Sequence, residues 1–291
     1  MAEYLSIDIG GTYIKYAFMD KQGKLHGHSK VETKENIQQA LLKQVESIVD
    51  EALSICTVSG VGISTAGIVD REKGEIIYAG PTIKNYKGTA IKQHLIDKFD
   101  LPVHVENDVN AALLGERWQG AAVNENDVFC MTLGTGIGGA YYQTSLMDGF
   151  NHRANSVGYL LYDEKTKTNY EARASTSALS KMIHNELGSD ISTRDVFERA
   201  KRSDDACYSI IEIWSKEVAK GLAQIIILVD PKCIIIGGGI SAQGDYLLDH
   251  IQKQIAQFLP SEFLKTEIKI AQLYNDAALY GAVYPFFVTG D

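Results

Sequence analysis

Two adjacent residues, Asn107 and Asp108 in the stretch VENDVNAALLGE, stand where a strand pattern gives way to a helical one. Asparagine and aspartate are favoured at helix N-caps, and that structural reading explains the pair by itself. The position also puts a carboxylate at the positive end of a helix, where the dipole keeps it ionised. An aspartate held there could accept a proton from a substrate hydroxyl, the part a catalytic aspartate takes in phosphoryl transfer.

Two glycine turns offer the complementary chemistry. In SIDIGGTYIK an apolar run ends at Asp8, and Gly10, Gly11 and Thr12 follow before β-type residues resume. A Gly-Gly turn exposes successive backbone N–H groups, and Thr12 adds a hydroxyl, so the concavity suits an anion. Asp8 could hold Mg²⁺ through water, and Lys15 could add positive charge. A hairpin turn requiring positive φ accounts for the same glycines.

The device returns in FCMTLGTGIGGAYYQ, with Thr135 and Gly136 at its turn. GTGIGG matches the dinucleotide fingerprint, but that fingerprint needs a helix directly after the glycines. The residues that follow, AYYQTS, are aromatic and β-type, so a phosphate-binding hairpin fits better. No G-K-S/T occurs in a strand–helix setting suited to a P-loop. A third run, GGGIS at 237–241, follows a strand and precedes a helix. Close approach of backbone to a nucleotide and close strand–helix packing both explain it. The seven histidines are scattered, with no HxxxH or HExxH, and read as ordinary surface or core residues.

These residues need elements to hold them. Residues 4–19 read as a hairpin around Gly10-Gly11, and 35–55 carry helical periodicity through Ile37, Leu41, Leu42, Val45, Ile48, Val49 and Leu53. GVGIST reads as a buried strand, TAIKQHLIDKFD as a helix and PVHVEN as a strand, with a helix from DVNAALLGERWQG. From Asp127 the strand–glycine–strand pattern restarts, followed by a mainly helical region from about Ser175 to Leu228. CIIIGGGIS then feeds the helix YLLDHIQKQIAQFL, and DAALYGAVYPFF reads as a terminal helix. Strands alternating with helices indicate α/β architecture. The two glycine hairpins look like an internal repeat, and two like domains facing one another would bring both turns to one cleft.

Composition narrows the partners. The 291 residues allow one or two domains, and the net charge of −9 argues against a nucleic-acid surface. Cys56, Cys130, Cys207 and Cys233 are far apart and form no CxxC pair, as expected of free thiols in a reducing cytoplasm. No signal-peptide pattern precedes the first strand. The most apolar run, LAQIIILVDPKCIIIGGG, is broken by Asp230 and Pro231 and reads as buried helix then buried strand, not a membrane span.

Taken together, SIDIGGTYIKYAF, GVGISTAGIVD, VENDVNAALLGE, MTLGTGIGGAYY and CIIIGGGIS resemble the ROK family of bacterial sugar kinases and related repressors, in order and spacing, over essentially the whole chain. The resemblance implies two actin-like (ribonuclease H-like) α/β domains flanking a nucleotide and sugar cleft. These are expected at 1–118 and 119–275, with the terminal helix 276–291 packing back on the first. It implies an ATP- and Mg²⁺-dependent kinase acting on the 6-hydroxyl of a hexose, and a homodimer. Asp108 looks like the general base and Asn107 a ligand of neighbouring hydroxyls, with Gly67 and its loop facing the sugar. Gly10, Gly11, Thr12, Thr135 and Gly136 would grip phosphates, and Gly238 and Gly239 would line the nucleotide pocket.

Two departures stand out. Where the family has GEIGH, this chain reads NSVGY, so Ser156 replaces a glutamate and Tyr159 a histidine. The cysteine-rich zinc loop is replaced by YDEKTKTNYEARAS, in which only its final glutamate survives, as Glu171. No structural zinc is therefore expected. A short Ser156 and an aromatic Tyr159, with Glu171 nearby, suggest a site open at the anomeric end, and so a β-glucoside such as cellobiose. Glucokinase and N-acetylmannosamine kinase are the alternatives. A non-catalytic sugar sensor would lack the base or the phosphate turns, both of which are present. A repressor would carry a helix-turn-helix segment before the first phosphate strand.

Overall fold

The computed structural model describes residues 3–80 and 82–288. The extreme ends of the expected segments 1–118 and 276–291, residues 1, 2 and 289–291, lie outside them. The described residues gather into two compact units. One runs to Asn124 and also takes Asp148–Arg153 and the residues from Asp276 onward; the other comprises Glu125–Met147 and Ala154–Asn275.

The first unit contains β1 (Glu3–Ile9), β2 (Tyr13–Met19), β3 (Leu25–Glu32), α1 (Ala40–Ile55), β4 (Val58–Thr65), β5 (Ile68–Asp70), β6 (Glu75–Tyr78), α2 (Ile91–Phe99), β7 (Val103–Asn107) and α3 (Asp108–Gln119). Its main sheet has the order β3-β2-β1-β4-β7. β1 pairs antiparallel with β2 and parallel with β4, and β4 pairs parallel with β7. Leu5, Ile7, Ile9, Val61, Ile63, Val103 and Val105 form the strand side of the core, met by Leu41, Val45 and Val49 of α1.

The second unit contains β8 (Asp127–Leu133), β9 (Ile137–Gln143), β10 (Ser145–Leu146), α4 (Glu171–Ala174), α5 (Thr176–Leu187), α6 (Thr193–Ala200), α7 (Asp205–Val229), β11 (Cys233–Gly237), α8 (Asp245–Ile255) and β12 (Glu267–Ile270). Its sheet order, β10-β9-β8-β11-β12, repeats the first. An antiparallel hairpin again carries the glycine turn, and two parallel strands follow on its other side. Both hairpins pair two seven-residue strands across a three-residue connection. The repeat read in the sequence is therefore a repeat of topology.

The last helix, α9 (Ala277–Val283), belongs to the first unit. Ser6 Oγ donates to the Leu279 carbonyl at 2.6 Å, and glycines permit the close contact: a Cβ at Gly62 would strike the Ala282 carbonyl, and one at Gly281 the Ala111 carbonyl. Backbone-to-backbone approach of this kind excludes any side chain.

Several expectations need correction. The helix expected from residue 35 begins at Ala40, and Ile37 is 57 % exposed outside it. Gln38 and Gln39 adopt left-handed φ angles, and Asn36 reaches over them to accept from Leu41 N at 3.3 Å, so the periodic pattern overran a turn. Leu53, expected on the buried face, is 39 % exposed near the helix end. The glycine run at 237–239 does not feed a helix directly, because a 3₁₀ turn (Gly239–Gln243) intervenes. The terminal helix passes into a 3₁₀ turn at Tyr284–Phe286, where Pro285 cannot donate to the α ladder. The strands β3, β5, β6, β10 and β12 lacked enough alternation to be recognised.

Candidate active site

In the first unit the elements converge on Asn107 and Asp108. β7 ends at Asn107, whose Oδ1 accepts from the backbone N–H groups of Val109 (2.9 Å) and Asn110 (3.2 Å), so it is the N-cap of α3. Its Nδ2 is left to donate to the Gly67 carbonyl at 2.7 Å and to Asp108 Oδ1 at 2.9 Å. Asp108 Oδ1 also accepts from Val109 N at 3.0 Å. Gly67 has φ +103, and a Cβ there would lie 2.7 Å from the Tyr78 carbonyl, so the residue must be glycine for its loop to reach Asn107.

Asp8 comes from the end of β1. Its Oδ1 accepts from Ser64 Oγ at 2.8 Å, and its Oδ2 lies 3.8 Å from Lys15 Nζ. Burial raises the Asp8 pKa, opposed by the Ser64 hydrogen bond and the Lys15 charge. Burial pushes Asp108 up to about 7, and the neighbouring Asp8 charge adds to the effect. Burial thus works against the ionised form expected at a helix N-terminus, and it outweighs the hydrogen bonds from Val109 and Asn107 that favour that form. A carboxylate poised near neutrality is well matched to accepting a hydroxyl proton.

The first glycine turn is exposed at Gly11 and Thr12. Gly10 N donates to the Tyr13 carbonyl at 3.0 Å, and Thr33 clamps the turn from β3 through Oγ1 to the Gly10 carbonyl (2.7 Å) and N to the Thr12 carbonyl (2.9 Å). The turn is held by Thr33, and Thr82 packs against Gly11, where a Cβ would strike its Cγ2.

Sequence reasoning missed the residues beneath this group. The buried Glu106 carboxylate accepts from Asn107 N at 2.8 Å and Asn110 Nδ2 at 2.9 Å. Arg71 Nε lies 3.8 Å from it, and Arg71 Nη2 binds Asp148 at 3.1 Å. Burial raises Glu106 to about 7 against the opposing pull of Arg71. The signal was the Glu directly before Asn-Asp, which alternation points to the opposite face of β7.

The second unit gathers another set. Gly134 N donates to the Gly136 carbonyl at 3.0 Å, closing the turn that carries Thr135. Thr176, at the start of α5, supports it through N to the Gly134 carbonyl and Oγ1 to the Leu133 carbonyl, both at 3.0 Å. Gly238 has φ +87, and a Cβ there would strike the Leu133 carbonyl, so it packs at the foot of the same turn. Gly239 has open space where a side chain would be. Glu171 Oε2 accepts from Ile137 N at 3.3 Å. A Cβ at Gly136 would lie 2.6 Å from that oxygen and one at Gly158 2.9 Å, which places the carboxylate between the glycine turn and the 3₁₀ turn Val157–Tyr159. Ser156 precedes that turn, and Tyr159 is 58 % exposed at its end.

Among the described residues, no group of three or more His, Cys, Asp or Glu side chains could hold a metal ion. The four cysteines are free thiols, three of them buried. Among the described residues no helix is long and apolar enough to cross a membrane.

The chain is similar in sequence and in structure to known proteins. The chain is 30 % identical to a β-glucoside kinase of Klebsiella pneumoniae, over 97 % of this chain and 95 % of that one. It is 28 % identical to a glucokinase of Halalkalibacterium halodurans, over 96 % and 93 % of the two chains. Among solved structures it resembles a ROK family glucokinase from Streptomyces griseus in complex with glucose and AMPPNP, with a TM-score of 0.83 and 28 % identity over 97 % and 98 % of the chains. The shared fold is the mixed α/β, two-domain actin-like architecture. Residues 4–286 match the ROK family, and the chain belongs to it.

Proposed function

We propose that the protein is an ATP-dependent kinase that phosphorylates the 6-hydroxyl of a hexose unit, with a β-glucoside such as cellobiose as favoured acceptor. The observation that carries the reading is Asp108: a carboxylate fixed by Asn107, raised to about 7 and beside Asp8. In this reading Asp108 takes the proton as the 6-oxygen bonds to the γ-phosphorus, the bond from that phosphorus to its bridging oxygen breaks, and ADP leaves. Asn107 orients Asp108 and the Gly67 loop, and that loop would face the acceptor hydroxyls. Gly11, Thr12, Thr135 and Gly136 would present backbone and hydroxyl donors to phosphate oxygens, Gly10 would shape the first turn with its N–H bonded to the Tyr13 carbonyl, and Gly238 and Gly239 would line the nucleotide. A non-catalytic sensor has no need of a base, the role this reading gives Asp108.

Asp8 fits an Mg²⁺ ion held through water, because its carboxylate oxygens are hard donors. The ion would supply neutralisation of phosphate charge. Lys15, close to Asp8, would share that task.

The glycoside preference rests on the short Ser156 and on the exposed Tyr159, which flank Val157 and Gly158, the latter against Glu171. An aromatic face offers a stacking platform for a second ring, and the β-glucoside kinase among the relatives is consistent with it. The test is an ADP-release assay over glucose, mannose, N-acetylmannosamine, cellobiose, gentiobiose and aryl β-glucosides. The expected result is a higher kcat/KM for cellobiose or an aryl β-glucoside than for glucose, with Tyr159→Ala lowering the glycoside value more than the glucose value. A tenfold preference for glucose or N-acetylmannosamine overturns the glycoside assignment and leaves the kinase assignment standing. Absence of ADP release with every sugar overturns both.

A further inference from the structure

Between Leu160 and Tyr170 the chain has no helix and only one isolated bridge, Asp163 to Thr168. Leu161 and Lys167 adopt positive φ angles of 49° and 54°, which residues other than glycine take at a cost. Within the segment Asp163 Oδ1 accepts from Lys165 N and Thr166 N, and the segment's carbonyls need a partner from outside. Here one side chain supplies it. Arg173 Nη1 donates to the Thr168 carbonyl and Thr168 Oγ1, both at 2.9 Å, and to the Asn169 carbonyl at 3.2 Å. Its Nη2 donates to the carbonyl of the strained Leu161 at 2.5 Å. Its Nε lies 3.5 Å from Glu217 Oε2 on α7. One guanidinium thus ties the loop, α4 and α7 together.

The short helix α4 is also fixed at both ends. Tyr170 Oη donates to the Val218 carbonyl at 2.7 Å, and Trp214 Nε1 donates to the Ala174 and Ser175 carbonyls at 3.1 Å. Glu171 is the residue of this mount that points the other way, to Ile137 N and the space beside Gly136 and Gly158. Nothing in that arrangement depends on Arg173 touching a substrate.

We propose that Arg173 is a positioning residue for Glu171, acting by cross-linking the 161–169 loop to the helix that carries Glu171. A planar cation with five donors in a fixed fork is what the task needs. A lysine offers a point charge that cannot span Leu161, Thr168 and Asn169 together. The proposal rests on the reading above that Glu171 accepts a hydrogen bond from the sugar.

The test is a double-variant cycle on the full chain with glucose and cellobiose as acceptors, using Arg173→Met, Arg173→Lys and Glu171→Gln. Arg173→Met is expected to raise the sugar KM about tenfold, with kcat and the ATP KM within about twofold of wild type. In the Glu171→Gln background it should add less than about twofold. Hydrogen exchange at the Asp163 and Tyr170 amides, which bond within this loop to Thr168 and Leu160, should accelerate in the Arg173 variants. If Arg173→Met multiplies the sugar KM equally in both backgrounds, or moves the ATP KM as much, the proposal is overturned. If Glu171→Gln alone leaves the sugar KM unchanged, the Glu171 reading fails and the proposal falls with it, a result distinct from the additive one. Should Arg173→Met fail to fold, Arg173→Lys supports the same comparisons.

Discussion

Asn107 fixes Asp108 through a single amide group. The Asn107 Nδ2 donates at once to Asp108 Oδ1 (2.9 Å) and to the Gly67 carbonyl (2.7 Å), while its Oδ1 caps α3. All four hydrogen-bonding capacities of the amide are engaged, so the group can neither rotate nor release the carboxylate without loss. Asp108 is therefore oriented before any substrate arrives, as a base in a positioning-dominated reaction requires.

Asp108→Asn should keep the geometry, since an amide oxygen can accept from Asn107 and Val109 in the same places. Sugar binding should change little and kcat should fall by about 10²-fold or more. Calorimetric titration of sugar alongside steady-state turnover checks both, and turnover near the wild-type rate rejects Asp108 as the base.

The pH dependence follows from the carboxylate raised to about 7. A base must be ionised, so kcat/KM should rise with unit slope up to about pH 7 and level off above it. The stability term has the opposite sense. A carboxyl whose folded pKa exceeds its unfolded value binds more protons when folded, so its ionisation destabilises the fold as pH rises from the ordinary aspartate range toward about 7. Asp108→Asn should raise the Tm at pH 8, by about 2–4 °C for each kcal/mol relieved, and have a smaller effect at pH 5. Equal Tm shifts at both pH values would count against the raised pKa.

Arg71→Met leaves Glu106 buried without its cation. The expected loss is about 1–3 kcal/mol, largest above pH 7 and smaller at pH 5.5, where Glu106 can protonate. Urea unfolding at the two pH values measures it. A loss that does not depend on pH would place the role of Arg71 in packing or in its bond to Asp148.

The adjacent glycines 238 and 239 should behave differently. Gly238→Ala forces a side chain onto the Leu133 carbonyl at φ +87 and should cost about 1–3 kcal/mol of stability. Gly239→Ala meets no atom within 4 Å, so stability should hold while the ATP KM rises if Gly239 lines the nucleotide. Thermal melts and ATP titration of both variants separate the two effects, and an unchanged ATP KM in Gly239→Ala removes that residue from the nucleotide site.

Removing divalent ions with EDTA should abolish turnover, and Mg²⁺ should restore it. Elemental analysis of the purified protein should find no stoichiometric zinc, consistent with a 161–170 loop that Asp163 and Arg173 hold through hydrogen bonds. A stoichiometric zinc signal would contradict that account.

The local devices were legible in the sequence because their causes are local. A strand ending in Asp8 before two glycines, an Asn-Asp pair at a strand–helix junction, and the second glycine hairpin each follow from turn and cap chemistry acting over a few residues. The order of those devices carried the family resemblance. Tertiary structure decided what depends on burial and on distant partners. The Asp108 pKa is raised to about 7 because desolvation and Asp8, a hundred residues away in sequence, outweigh the hydrogen bonds from Val109 and Asn107. Glu106 and Arg71 acquire a role only once β7, β5 and Asp148 are assembled. That Gly67 and Gly238 must be glycine is decided by the carbonyls of Tyr78 and Leu133, which exclude any side chain there. The start of α1 was misplaced because periodicity records which residues are apolar, while the turn at Gln38–Gln39 is set by a bond from Leu41 to Asn36 that no spacing rule encodes.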